Sequence, residues 1–278
     1  MKLGLALAGG GVKGAAHIGI IQALEENNIK VDMISGTSSG SIVASLYAMG
    51  YNAKEMLNLF NYSAKAMIES NPSYIFSSMR ENKSLMVDGM RSGYNIETIL
   101  NEIARYKNIE RIGELQLPTI IPTVDIKDGK EYIFTNAEME GEKYIKDISV
   151  GKAVRASASF PVYFAPLKFE DHIFVDGGVL NNVPISELKK AGADKVIGVN
   201  FFVQDTSVRN NMYSIAIRTI DIMSNKIAEK DLNKSDYTIV IDTGEIRILD
   251  ISKINKCYKR GYEYTMEHID EIKKIIAD

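Results

Sequence analysis

Apolar residues cluster first at 3–8, break at a glycine-rich stretch over 9–14, and resume at helical spacing with Ile18, Ile21 and Leu24. This pattern predicts a short buried strand, a loop, a helix over 15–26 and a second strand over 31–35, which together make a βαβ unit. Ile42, Val43, Leu46 and Tyr47 then predict a helix over 38–49, with Gly50 at the C′ position that favours glycine. Further apolar runs predict strands over 119–125, 131–134, 173–176, 195–200 and 237–242. Helical spacing predicts helices over 185–191, 211–232 and 256–276. Strands alternating with helices imply an α/β fold with a mostly parallel central sheet flanked by helices.

Residues 52–108 depart from this alternation. Met56, Met67, Met79, Met86 and Met90 accompany a helical pattern interrupted by Asn71-Pro72, Gly89 and Gly93. The stretch is expected to be a helical insertion over the sheet, within a single domain covering 1–278. Methionines adapt to irregular apolar shapes and could form a mobile cover for a lipid, although a helix's apolar stripe is ordinarily core.

Composition narrows the partners. A chain of 278 residues can bury one large core, and its net charge of -3 lacks the basic excess that a nucleic-acid footprint requires. The one cysteine, Cys257, cannot form an internal disulfide, which fits the cytoplasm. Residues 1–8 imitate a signal peptide, but their apolar stretch is shorter than a signal's core, and no apolar run approaches the roughly 20 residues that span a bilayer. A lipid substrate would therefore be met in transient contact at a membrane surface, the protein being cytoplasmic or peripheral. Nothing in the chain bears on its oligomeric state.

Three short motifs carry candidate chemistry. Gly36-Thr37-Ser38-Ser39-Gly40 matches G-x-S-x-G where a strand meets a helix, the context in which a tight turn exposes a nucleophilic serine. Small flanking residues let that backbone fold back, and the Ser39 N–H is placed to bind a developing oxyanion. An ordinary turn with an N-capping serine would read the same way. Gly9-Gly10-Gly11-Val12-Lys13-Gly14 also satisfies the dinucleotide fingerprint G-x-G-x-x-G, with Asp32 as the ribose acid, so an oxidoreductase is a rival reading. However, Asp32 begins the second strand and the serine turn ends it, where the ribose would lie. The glycines suit an oxyanion loop better, with the N–H groups of Gly10 and Gly11 above Ser38. Lys13 is a candidate anion contact, although a lone lysine is ordinarily solvated.

A nucleophilic serine needs a base. His17 reads as a packed residue beside the glycine loop, His172 as a solvated loop residue and His268 as part of an exposed helical face. Asp176, at the carboxyl end of an apolar strand and before Gly177-Gly178, stands where open α/β sheets place ligands, and can converge on Ser38. A turn-forming Asp-Gly would look similar.

In this order the three blocks resemble those of the patatin-like phospholipases: Gly9 to Gly14 the GGGx[RK]G loop, Gly36 to Gly40 the GxSxG elbow, and Asp176-Gly177-Gly178 the DG[GA] motif. Arg155-Ala156-Ser157-Ala158-Ser159-Phe160-Pro161 and Asn181-Asn182-Val183-Pro184 resemble further family blocks, and the size is similar to that of the bacterial, neuropathy-target-esterase-like branch. The resemblance implies a three-layer sandwich and a Ser38–Asp176 dyad without histidine. It also implies oxyanion donors at Gly10, Gly11 and Ser39, an acyl-enzyme, and hydrolysis of phospholipid, lysophospholipid or neutral lipid esters without metal or cofactor. A binding protein that keeps the fold without turnover is the remaining alternative.

Overall fold

A computed structural model describes residues 1–68, 89–202 and 211–277. Strand β1 (Leu3–Leu7) is buried at every position, as an apolar run at the centre of a parallel sheet must be. It lies between β2 (Met33–Gly36) and β8 (Lys195–Phe202), parallel to both. Beyond β2 come β3 (Thr119–Asp125), parallel, and β4 (Lys130–Thr135), antiparallel; beyond β8 comes β9 (Tyr237–Asp242), parallel. A two-residue strand, β5 (Tyr144–Ile145), flanks β4. The hairpin of β6 (Leu167–Phe169) and β7 (His172–Asp176) joins β3 antiparallel.

The helices in chain order are α1 (Ala15–Glu26), α2 (Ser39–Ala48), α3 (Ala53–Ile68), α4 (Tyr94–Tyr106), α5 (Val150–Ser157), α6 (Ile185–Lys190), α7 (Met212–Leu232), α8 (Ile254–Glu267) and α9 (Ile269–Ala277). Crossovers between parallel strands are right-handed. Those running from β1 through β2 to β3 therefore place α1 and α2 on one face, and the crossover from β8 to β9 places α7 on the other. Helices α3, α4, α5 and α8 extend the first layer, while α6 packs with α7 on the second. The result is a three-layer α/β fold with a mostly parallel central sheet.

The expected strands and helices are largely present, with four differences. Residues 9–14 are not wholly loop, since Gly11–Gly14 winds into a 3-10 turn. The second strand starts at Met33 rather than at 31. The helix expected over 256–276 is two helices, which part at His268. Strand β5 and helix α5 have no counterpart among the expected elements, β5 being too short to show a period and α5 lying in a run of small residues. In the described part of 52–108, α3 and α4 pack on α1, α2 and α5 in the helical layer that flanks the sheet. Met56 and Phe60 are core residues there, whereas Met90 is exposed. Residues 69–88, with Met79 and Met86, fall outside the described residues, as does the Met67 side chain.

Helix α1 is buried almost all round because α8 covers the side turned away from the sheet. Two glycines let the helices approach: a Cβ on Gly19 would strike the Tyr258 carbonyl, and one on Gly261 the Ala16 carbonyl. Backbone cannot step aside as a flexible side chain can. Gly261→Ala is expected to cost about 1–3 kcal/mol in urea denaturation, and Gly113→Ala, whose Cβ would meet only ordinary contact at 3.8 Å, much less. Equal costs for the two would contradict the packing argument.

Candidate active site

The turn from β2 into α2 lies at the sheet's carboxyl edge. Ser38 has φ 53° and ψ -120°, a conformation that L residues rarely adopt. Glycines make it possible: a Cβ on Gly36 would collide with the Gly40 carbonyl, and one on Gly40 with the carbonyls of Leu7 and Ala8. The Ser38 hydroxyl does not cap α2, so the ordinary role of a serine before a helix is not the one it fills. The turn is held from outside. Thr37 N–H donates to the Leu7 carbonyl at 3.1 Å, the Thr37 hydroxyl to the Asn181 carbonyl at 2.8 Å, and Ser38 N–H to Ser157 Oγ at 3.1 Å.

Asp176 ends β7 and is fully buried beside Ser38. Its Oδ1 accepts the Gly178 N–H at 2.8 Å, which is the turn-forming role of an Asp-Gly pair. Its Oδ2 accepts no hydrogen bond from the described residues. Burial pushes the carboxyl from 3.8 up to about 7, opposed by the Gly178 N–H and the Ser38 hydroxyl. The hydroxyl is thus near enough to favour the carboxylate, although Oδ2 has no hydrogen-bond partner among the described residues. Such looseness is common before substrate binds.

The glycine loop leaves β1 at the same edge. Gly9 N–H donates to Asn182 Oδ1 at 3.1 Å, which ties the loop to the segment after Asp176. Val12 N–H donates to the Ile248 carbonyl at 2.9 Å, and a Cβ on Gly11, at φ 61°, would overlap that carbonyl. Gly14 packs so closely on Ser39 that a Cβ there would lie 2.8 Å from Ser39 Oγ. The N–H groups of Gly10, Gly11 and Ser39 enter none of the hydrogen bonds among the described residues, and all three residues border one cavity with Ser38, Asp176 and Gly178. That cavity measures about 470 Å³, within the range of small-molecule sites. Ile42, Phe60, Phe160 and Phe164 are among the residues that line it.

The other candidates fall out as follows. His17 donates from Nε2 to the Ala8 carbonyl at 2.9 Å, and burial lowers it to about 4, so it is a packed neutral imidazole. His172 is not the expected solvated loop residue: it lies in β7, stacks on Phe174 and holds Asp125 at 2.7 Å. His268 stacks on Tyr264 between α8 and α9. Lys13 is not a surface cation, being 3% exposed in the cavity wall. Asp32 precedes β2 and accepts the Leu3 N–H at 2.9 Å, at the opposite end of the sheet from the glycine loop and the cavity. A ribose acid would stand at the carboxyl end. Burial pushes the Cys257 thiol up to about 11, which leaves it inert as a competing nucleophile.

The glycine loop, elbow and aspartate all fall within residues 5–189, which match the family model for patatin-like phospholipase. The chain belongs to the patatin-like phospholipase family. It is 31% identical over 199 residues to the uncharacterized protein YqhO of Bacillus subtilis, covering 69% of this chain and 68% of that one. It is also 31% identical over 205 residues to patatin-like phospholipase domain-containing protein 6 of Homo sapiens, and 30% over 199 residues to lysophospholipase NTE1 of Meyerozyma guilliermondii. These matches take in 73% and 71% of this chain but only 14% and 12% of those longer proteins. Among solved structures, VipD from Legionella pneumophila superposes with a TM-score of 0.53 at 16% identity, over 97% of this chain and 67% of that one. Human GIVD cytosolic phospholipase A2 does so with a TM-score of 0.52 at 9% identity, over 99% and 60%. At such identities the likeness is one of fold. No helix among the described residues is long and apolar enough to cross a membrane.

Within this patatin-like site, the sequence left several residues unassigned. Asn182 and Ser157 sit in blocks that resemble the family's, yet only the structure gives their partners, far along the chain. The inner side of α7 and the loop at 246–249 also border the cavity without any local motif. Asn182→Ala is expected to speed amide exchange of Gly9 about five-fold, the loss of one hydrogen bond worth about 1 kcal/mol. Unchanged protection would mean that the glycine loop holds itself.

Proposed function

We propose that this chain hydrolyses carboxylic esters of lipids through a Ser38–Asp176 dyad, acting as one unit. The observation that carries the reading is the buried Asp176 Oδ2, without a hydrogen-bond partner among the described residues and beside a serine whose hydroxyl its own helix does not use. Ser38 Oγ attacks the ester carbonyl while Asp176 takes the hydroxyl proton, and the N–H groups of Gly10, Gly11 and Ser39 stabilise the oxyanion. Asp176 then returns the proton to the departing alcohol, leaving an acyl-Ser38 ester. Water, deprotonated by the same carboxylate, attacks that ester; the bond to Ser38 breaks, Asp176 passes the proton to Ser38 Oγ, and the acid leaves. Lys13, in the same wall, favours an anionic group in the cavity. No cofactor or metal enters the scheme. Membership of a phospholipase family and likeness to a lysophospholipase support a lipid substrate, reached in transient contact with a membrane surface by a cytoplasmic or peripheral protein.

A buried base with a raised pKa has two consequences of opposite kind. Only the carboxylate accepts a proton, so kcat/KM on a short-chain p-nitrophenyl ester should fall about ten-fold per pH unit below about 7 and level off above it. Ser38→Ala should abolish turnover, and Asp176→Asn should lower it by at least about 10²-fold. The folded pKa lies above the unfolded one, so Asp176 contributes stability below pH 3.8 that is lost as pH rises through about 7. Asp176→Asn should therefore raise the melting temperature by several degrees at pH 8, with the gap closing at pH 4. A flat pH profile in wild type, or an unchanged Asp176→Asn turnover, would overturn the dyad.

A further inference from the structure

Asn181 holds the Ser38 turn from the Asp176 side, and its own hydrogen bonds are unevenly shared. Its backbone carbonyl accepts the Thr37 hydroxyl at 2.8 Å, and its backbone N–H donates to the Gly177 carbonyl at 2.8 Å. The side-chain amide donates from Nδ2 to Glu131 Oε1 at 2.6 Å, whereas Oδ1 is buried and accepts no hydrogen bond from the described residues. An amide oxygen buried without a donor is costly, so another contact must hold the group in that orientation. A carboxylate does this because it only accepts: turning the amide over would set Oδ1 against Glu131 Oε1.

The sheet places Glu131. It lies on β4 opposite Val124 of β3, and Val124 also pairs with Val175 of β7, the residue before Asp176. Glu131 Oε2 stands 3.5 Å from Lys143 Nζ, a cation that favours the carboxylate form. Lys143 is shared with Glu187 at 3.1 Å, and Glu187 has further partners in Lys190 at 2.7 Å and the Tyr144 hydroxyl at 3.1 Å. The ion cluster around Glu187 is therefore complete without Glu131. What Glu131 adds is the link from that cluster to Asn181. Neither Glu131 nor Asn181 is among the described residues that line the Ser38 cavity.

We propose that Glu131 is a positioning residue for Ser38: by holding the Asn181 side chain it fixes the carbonyl that the Thr37 hydroxyl engages, and so keeps the nucleophile in its strained turn. The inference rests on the Ser38–Asp176 reading above and adds to it a residue that acts from outside the cavity. The relay is short, because Nδ2 and the carbonyl belong to one residue and Thr37 immediately precedes Ser38. A positive φ at a non-glycine residue persists only where its surroundings over-determine it. Loosening the Asn181 carbonyl weakens one of the outside ties, beside those to Leu7 and Ser157. A small displacement of an attacking oxygen slows the chemical step more than it weakens binding.

The test measures kcat and KM on a short-chain p-nitrophenyl ester in wild type, Glu131→Ala, Glu131→Gln, Asn181→Ala and the double alanine variant. Ile272→Ala, which removes buried core volume on α9, is the control for lost stability alone. Glu131→Ala should lower kcat about ten-fold with KM unchanged. Glu131→Gln keeps an oxygen for Asn181 Nδ2 and should recover most of that loss, while Ile272→Ala should keep the wild-type kcat. Asn181→Ala should match Glu131→Ala, and the double variant should fall no further, since both act through one link. An unchanged kcat in Glu131→Ala, losses that multiply in the double variant, or an equal loss in Ile272→Ala would overturn the positioning role while leaving the hydrolase intact. Should wild type show no turnover, the hydrolase reading fails, and amide exchange of Thr37 and Ser38 decides the inference. Exchange about ten-fold faster in Glu131→Ala than in Ile272→Ala would uphold it, and equal rates would overturn it. If Glu131→Ala does not fold, Asn181→Ala takes its place in both comparisons with Ile272→Ala.

Discussion

The strained turn at Ser38 is the constraint on which the rest of the site depends. A non-glycine residue at positive φ costs roughly 1–3 kcal/mol and persists only where its surroundings over-determine it. Here the surroundings are three other parts of the chain: the end of β1 through the Leu7 carbonyl, α5 through Ser157, and the segment after Asp176 through Asn181. The same contacts that hold the turn therefore also fix the aspartate and the glycine loop relative to it. Asn182 completes the circuit by accepting the Gly9 N–H. Elbow, aspartate and glycine loop thus belong to one hydrogen-bonded frame.

Within that frame electrostatics works against stability and in favour of chemistry. A carboxyl removed from water resists ionisation, and one backbone N–H together with a nearby hydroxyl only partly offsets the loss. The result is a carboxyl raised to about 7. His17, a few ångströms from the glycine loop, is pushed the opposite way and stays neutral. Burial favours the neutral form of both groups, the carboxyl of Asp176 and the imidazole of His17.

Much of this was legible in the sequence where the signal is local. The apolar run of β1, the periodic stretch of α1 and the glycines around Ser38 each answer to neighbours within a few residues, and each lies where its pattern placed it. The exceptions are long-range. His172 reads as a loop residue because its partner, Asp125, is on another strand. Lys13 reads as solvated because lysines ordinarily are, yet α8 and the 246–249 loop close over it. The side of α7 that borders the cavity has no motif at all, since its place there is set by other elements. The break at His268 follows no interruption in the apolar pattern, and the structure offers no further physical reason for it.

The most direct test of the central claim is mass spectrometry after exposure to a fluorophosphonate, which reacts only with an activated serine. The wild-type chain should carry one adduct, on Ser38, formed faster at pH 8 than at pH 6 as Asp176 ionises, and formed far more slowly in Asp176→Asn. An unlabelled wild type, or labelling of Ser38 indifferent to both pH and Asp176, would contradict the dyad.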